Sequence, residues 1–176
     1  HKERDTCRLE LQLAVSRDTR HFTRIGDRAP FIPVGPEGSW DQFNNSAATS
    51  PPLEVGDELW FYYGGRSSPH SPYQAAGAVK RGCIGLAAIP RDRFASLSAG
   101  TQQGQILTKP LRLDGGVLHL NADACAGRMA IEMLDAAGTV VAKSKPITRD
   151  GLDIPVEWEA GGLEAATSTV TLRIQM

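Results

Sequence analysis

The stretch Val55-Gly56-Asp57-Glu58-Leu59-Trp60-Phe61-Tyr62-Tyr63-Gly64-Gly65 decides the fold class. Five consecutive large apolar residues, Leu59 to Tyr63, are entered by Gly56-Asp57-Glu58 and left by Gly64-Gly65. A run of this length between turn residues is a strand and too short for a helix. Trp60 and Tyr62 fall on one face, Phe61 and Tyr63 on the other, so both faces are apolar, as in a central strand buried between layers. Gly56-Asp57 is a hairpin signal at the entrance.

Working outward, the same punctuation recurs. Cys83 to Ile89 is a second apolar run, closed by Pro90-Arg91-Asp92-Arg93 and followed by Phe94-Ala95-Ser96-Leu97. Upstream, Leu9-Glu10-Leu11-Gln12-Leu13-Ala14-Val15 alternates over seven positions, the period of a half-buried strand. Ser16-Arg17-Asp18-Thr19 turns the chain, and His21-Phe22-Thr23-Arg24-Ile25 starts a partner strand. Gly26 to Ser50 reads as irregular, broken by Pro30, Pro33, Gly35, Pro36 and Gly38.

Beyond residue 98 the texture changes. Short alternating runs at Ile106–Leu113, Val117–Ala122, Arg128–Leu134, Thr139–Ala142, Ile154–Trp158 and Thr169–Ile174 are separated by Asp114-Gly115-Gly116, Ala136-Ala137-Gly138 and Asp150-Gly151. This spacing predicts an antiparallel β-sandwich. Gly161–Ala166 holds at most one helical turn. With 18 glycines and 11 prolines in 176 residues, the chain is expected to be all-β, with one unit over residues 1–97 and another over 98–176.

The composition excludes several function classes. Lys plus Arg number 19 and Asp plus Glu 20, for a net charge of −1. That removes the electrostatic case for nucleic acid or an anionic membrane, and no apolar run approaches a bilayer span. Cys7, Cys83 and Cys125 form no CxxC and no disulfide framework; buried or partly buried free thiols are the expectation, with one disulfide as the alternative. His1, His21, His70 and His119 share no metal-ligand spacing, no acidic loop has calcium-ligand spacing, and no cofactor motif is present.

The candidate binding residues lie around the aromatic strand. In Ser39-Trp40-Asp41 an indole beside a carboxylate can stack on a sugar ring while the acid takes its hydroxyls; equally, Trp40 can plug a loop and Asp41 cap a turn. Arg66 stands at the strand exit and His70 in the loop that follows, where functional side chains are common. A glycosidase would need two carboxylates about 5–10 Å apart, and Asp41 with Glu58 is the pair to test. Trp158 is either sandwich core or an exposed sugar platform.

Taken in order, these residues resemble a known family. Leu11 to Asp18 with His21-Phe22 resembles a blade of the five-bladed β-propeller glycoside hydrolase-like proteins, the relatives of invertase, levansucrase and arabinanase. Gly38-Ser39-Trp40-Asp41 through Gly56–Gly65 and His70 resembles their last blade, and Ile84–Ala87 with Arg91–Leu97 its closing strand. Gly104–Leu111, Leu118–Ala124 and Ile131–Asp135 resemble the β-sandwich that follows the propeller. The resemblance implies a partial propeller-blade region followed by an antiparallel β-sandwich. It implies a non-catalytic C-terminal portion of a carbohydrate-active protein, exported rather than cytoplasmic, with Trp40, Asp41, Arg66 and His70 bordering a sugar pocket. Neighbouring blades, or a second copy, would be its partners. The family's three catalytic acids belong to earlier blades, and the place of its general acid falls near Ser50-Pro51-Pro52, which carries no carboxylate. The sandwich of this family is expected to have one more strand than the run ending at Leu172–Met176 provides. The alternative is a stand-alone carbohydrate-binding or protein-interaction β-domain.

Overall fold

The computed structural model describes residues 8–69, 81–113, 115–165 and 169–176. It is all-β. Among these residues the helical pieces are single 3-10 turns at Gly26–Arg28 and Leu163–Ala165. The chain divides into two compact units, His1–Ala95 and Ser96–Met176.

The first unit contains β1 (Leu11–Gln12), β2 (Ala14–Val15), β3 (Thr23–Arg24), β4 (Pro30–Ile32), β5 (Asn44–Ala47), β6 (Leu53–Val55), β7 (Glu58–Arg66) and β8 (Gly82–Pro90). The aromatic run lies in β7, at the centre of a four-stranded antiparallel sheet. β8 pairs with it from Glu58↔Pro90 to Arg66↔Gly82. The other edge is shared end to end by β6, through Leu53↔Trp60 to Val55↔Glu58, and β5, through Asn44↔Arg66 to Ala47↔Tyr63. Gly56, at φ 59°, supplies the positive dihedral that the two-residue β6–β7 hairpin requires.

Three expectations for this unit are corrected. β7 is central, but only one of its faces is well covered: Leu59 and Gly65 are buried, whereas Tyr62 is 45% exposed. The Leu9–Val15 run breaks into β1, paired with β4, and β2, paired with β3. Leu9 and Val15 stay exposed, because alternation makes an apolar stripe but does not supply a layer to cover it. The stretch read as irregular holds β4 and β5. Asn44-Asn45 carries no strand propensity, and its backbone is recruited by the edge of β7.

The second unit is built from β9 (Gln105–Leu107), β10 (Leu111–Arg112), β11 (His119–Asp123), β12 (Ala130–Leu134), β13 (Val140–Ser144), β14 (Asp150–Pro155), β15 (Trp158–Ala160) and β16 (Thr169–Gln175). One sheet runs β10-β16-β12-β13-β15, with β9 also on β16; β11 and β14 form a second sheet. Ile131, Met133, Ala142, Ile147, Ile154, Val156, Val170 and Leu172 form the core, with Leu118, Leu120, Trp158 and Ile174 packed against it. Trp158 is thus core packing. β16 lies inside its sheet, between β12 and an edge made jointly by β9 and β10. Cys83 and Cys125 are exposed free thiols, not buried ones, since one sits on an edge strand and the other in the turn after β11. Cys7 lies outside the described residues.

Candidate functional site

The candidate site is anchored by the loop from Gly35 to Phe43. Its mouth is closed by Gly35 N–H donating to Asp41 O (3.3 Å), and its tip by Gly38 N–H donating to Gln42 Oε1 (2.7 Å). Gln42 Nε2 in turn donates to Ser67 O (3.0 Å), and Phe43 N–H to Arg66 O (3.2 Å), so the loop is bound to the far end of β7. A Cβ at Gly35 would collide with the Asp41 carboxylate, so glycine is what allows this turn.

Trp40 lies over the glycines of the sheet. Its ring stacks on Tyr63, centroids 5.7 Å apart and planes 23° apart, and any side chain at Gly65 or Gly85 would enter its space. Asp41 is 8% exposed. Its Oδ1 accepts from Ser39 Oγ (2.8 Å) and its Oδ2 from Tyr63 Oη (3.2 Å). Burial, then the hydrogen bond and charge of Asp41, push the Tyr63 hydroxyl above its ordinary value. Trp40 is thus packed on the sheet as a loop plug would be, and the Asp41 carboxylate is engaged by Ser39 and Tyr63.

Arg66 belongs to the opposite side. Residues alternate along β7, so Gly65, beneath Trp40, and Arg66 face opposite ways. The exposed Arg66 side chain lies instead beside Gly82, on a shallow depression formed with Ser46, Gly64, Cys83 and Ile84. The sheet thus separates Arg66 from the Trp40–Asp41 pair. His70 lies outside the described residues.

The carboxylate pair Asp41 and Glu58 does not form. Asp41 packs at Gly65, whereas Glu58 begins β7 seven residues earlier, on the other face. At about 3.3 Å per residue this separates them by roughly 23 Å, well beyond a glycosidase pair. Glu58 is occupied locally, accepting from Trp60 Nε1 (2.9 Å). Among the described residues no group of three or more His, Cys, Asp or Glu could hold a metal ion, and no helix is long and apolar enough to cross a membrane.

Two features escaped the sequence reading. The first is a cleft of about 280 Å³ beside the aromatic strand, lined by Trp60, Phe61 and Tyr62 with Leu11, Phe31 and Pro51 among its walls. Gln12 and Ser50 add polar groups to it. The aromatic stripe and Pro51-Pro52 were its visible signals; the contribution of β1 and β4 was not, because neither strand was legible as a wall. The second is a pair of buried amides. Asn44 and Asn45 are 3% and 2% exposed, and the Oδ1 of each lacks a hydrogen-bond partner. Asn45 Nδ2 donates to Pro33 O (2.8 Å), which fixes its amide beside the Gly35 loop.

The other face of the sheet is bare. Leu53 (53%), Tyr62 (45%), Leu86 (46%) and Ile84 (79%) are exposed there, joined by register through Leu53↔Trp60↔Ala88, Tyr62↔Leu86 and Gly64↔Ile84. The covered face instead packs Phe61 against Phe31 (5.2 Å, edge to face) and Phe94 (6.0 Å). No family model, curated protein or solved structure matches this chain.

Proposed function

We propose that this chain is a non-catalytic C-terminal portion of a glycoside-hydrolase-like, carbohydrate-active protein. In this reading the first unit is a propeller blade and the sandwich unit supports it. The observation that carries the reading is the bare apolar face of the four-stranded sheet. A propeller blade is an antiparallel sheet that needs neighbours over its faces; here the four strands lie three across, because β5 and β6 share one edge of β7 end to end. Here one face is dressed by the chain's own Trp40, Phe31 and Phe94, while the other presents Leu53, Tyr62, Ile84 and Leu86 to solvent. The non-catalytic part of the reading is supported by Asp41, tied by two hydrogen bonds, and by Glu58 at the other end of the strand, which do not make a glycosidase pair. The test compares this chain with the product of its full reading frame. The expected result is a longer frame encoding further blades, whose product binds a hydrophobic dye less per molecule and hydrolyses glycosides, while this chain alone does not. A frame with these same termini, yielding a monomer that binds no dye, would overturn the proposal.

The cleft at Trp60–Tyr62 favours a second reading, a stand-alone carbohydrate-binding domain. Aromatic walls with a few polar groups suit sugar rings. Soluble oligosaccharides should then quench tryptophan fluorescence in wild type and lose that effect in Trp60→Ala. Equal quenching in the two proteins would eliminate the cleft.

A further inference from the structure

The bare face of the first unit's sheet is ordered so that its two ends complement each other. Along β7 that face carries Glu58, Trp60, Tyr62, Gly64 and Arg66, and beside them on β8 Pro90, Ala88, Leu86, Ile84 and Gly82. All five β8 residues are exposed, whereas Gly85, Ala87 and Ile89 between them are half-buried. A carboxylate stands at one end of the face and a guanidinium at the other. Tyr62 and Leu86 mark the centre. At equal distances on either side of it, large side chains stand against small ones: Trp60 against Gly64, Ile84 against Ala88 and, on the flanking strands, Leu53 against Ser46. Glu58 accepts from the uncharged indole N–H of Trp60 (2.9 Å) and, like Arg66, has no ion-pair partner among the described residues. Gly64 floors the shallow depression beside Ser46 and Arg66, and a Cβ placed on it would meet open space.

We propose that this face binds a second copy of the chain, face to face, in a two-fold dimer. A two-fold axis lying across the strands at Tyr62 and Leu86 turns one sheet over onto the other with strand directions reversed. It sets Glu58 of each copy over Arg66 of the other. It sets Trp60 over the open floor at Gly64, Ile84 over Ala88 and Leu53 over Ser46, while Tyr62 and Leu86 meet their own counterparts. Sheets packed in this way lie about 10 Å apart with their strands within about 30°. One large side chain facing a small one fills that gap, and Glu58 and Arg66 are long enough to bridge it together. An isologous contact requires a patch complementary to itself; here both charge and size reverse about the same row, which a different partner would not require. Three strands about 4.8 Å apart and nine residues of about 3.3 Å each give a patch of roughly 14 by 30 Å. That is small beside the roughly 800 Å² per partner of a standard interface, so the dimer is weak and concentration-dependent. The pairing does not rest on the blade reading: blades around an axis meet front to back, a heterologous contact, whereas here like meets like.

The test is sedimentation of the full chain from about 1 μM to about 1 mM, the range of a weak complex. The average mass should rise with concentration from 18.9 kDa toward twice that value. Glu58→Arg sets arginine over arginine and Arg66→Glu sets glutamate over glutamate, so each variant alone should dimerise about tenfold more weakly or worse. An equal mixture of the two should recover wild-type association, because the mixed pair has opposite charges at both ends. Gly64→Leu enters open space in the single chain and should leave its urea midpoint unchanged, yet it fills the place of Trp60 from the other copy and should weaken the dimer by a similar factor. A mixture no tighter than its components, or undiminished association of Gly64→Leu, would overturn the proposal. A chain that stays monomeric throughout the range would overturn it too, and would leave the blade reading to be decided by its own reading frame.

Discussion

At the scale of single residues, the first unit depends on glycines that make room for aromatics. Gly65 and Gly85 leave the space that Trp40 fills, and Tyr63 stacks on the same ring. Gly65→Ala sets a methyl against Trp40 and Asp41 and should destabilise this unit by about 1–3 kcal/mol, the range for overpacking; an unchanged urea midpoint would contradict the packing. The Tyr63–Asp41 contact adds a pH signature. Burial and the Asp41 carboxylate raise the folded-state pKa of Tyr63 above its unfolded value of about 10. Its contribution is therefore complete below that value and is lost as pH rises through the folded one. Wild-type stability should fall above about pH 10 more steeply than that of Tyr63→Phe, measured as the difference between their urea midpoints across pH 8–11. The Trp-Asp pair itself was legible in the sequence, with both of its roles. The partner that engages Asp41 comes from β7, twenty-two residues away, and local sequence does not show which side chain will come back to meet it.

At the scale of elements, apolar runs with glycine at their ends were readable, and polar or broken strands were not. β7 and β8 announce themselves by aromatic and aliphatic runs; β5 hides behind Asn44-Asn45 and β4 behind Pro30, because pairing with a strong neighbour overrides weak propensity. The edge of β16 shows how a break is managed. β9 and β10 are one edge interrupted at Thr108-Lys109-Pro110. Thr108 bridges the gap, its N–H donating to Leu172 O (3.0 Å) and its Oγ1 accepting from Leu172 N–H (3.0 Å). A comparable device lies in the core, where Ser144, 1% exposed, accepts from Ile131 N–H through Oγ (2.8 Å). Ser144→Ala leaves that buried donor unmet and should cost the sandwich unit about 1–3 kcal/mol. Thr108→Val, at a partly exposed edge where water can replace the hydroxyl, should cost less. Chemical unfolding of the two variants checks the order, and a larger loss at Thr108 would contradict the argument that burial of the orphaned donor sets the cost.

At the scale of the whole molecule, the two units are stabilised unequally. The buried apolar side chains of the described residues are Ile32 and Leu59 in the first unit; in the second they include Ile131, Met133, Ile154, Val156, Val170 and Leu172. Hydrophobic burial is the dominant favourable term in folding, and local opening free energy follows the apolar contacts that opening breaks. Amide protons of β5–β8 should therefore exchange faster than those of β12, β13 and β16 in the isolated chain, although β7 is the more hydrophobic strand by composition. This asymmetry also separates the two explanations of the bare sheet face. If neighbouring blades cover it, exchange in β7 and β8 should slow when the chain is embedded in its full-length product, to rates near those of β12 and β16. If the first unit stands alone as a binding domain, the embedded and isolated rates should agree, and only an added ligand should slow them. Hydrogen exchange on both forms reads the difference directly, because the sandwich strands serve as an internal reference whose protection comes from a core complete within residues 96–176.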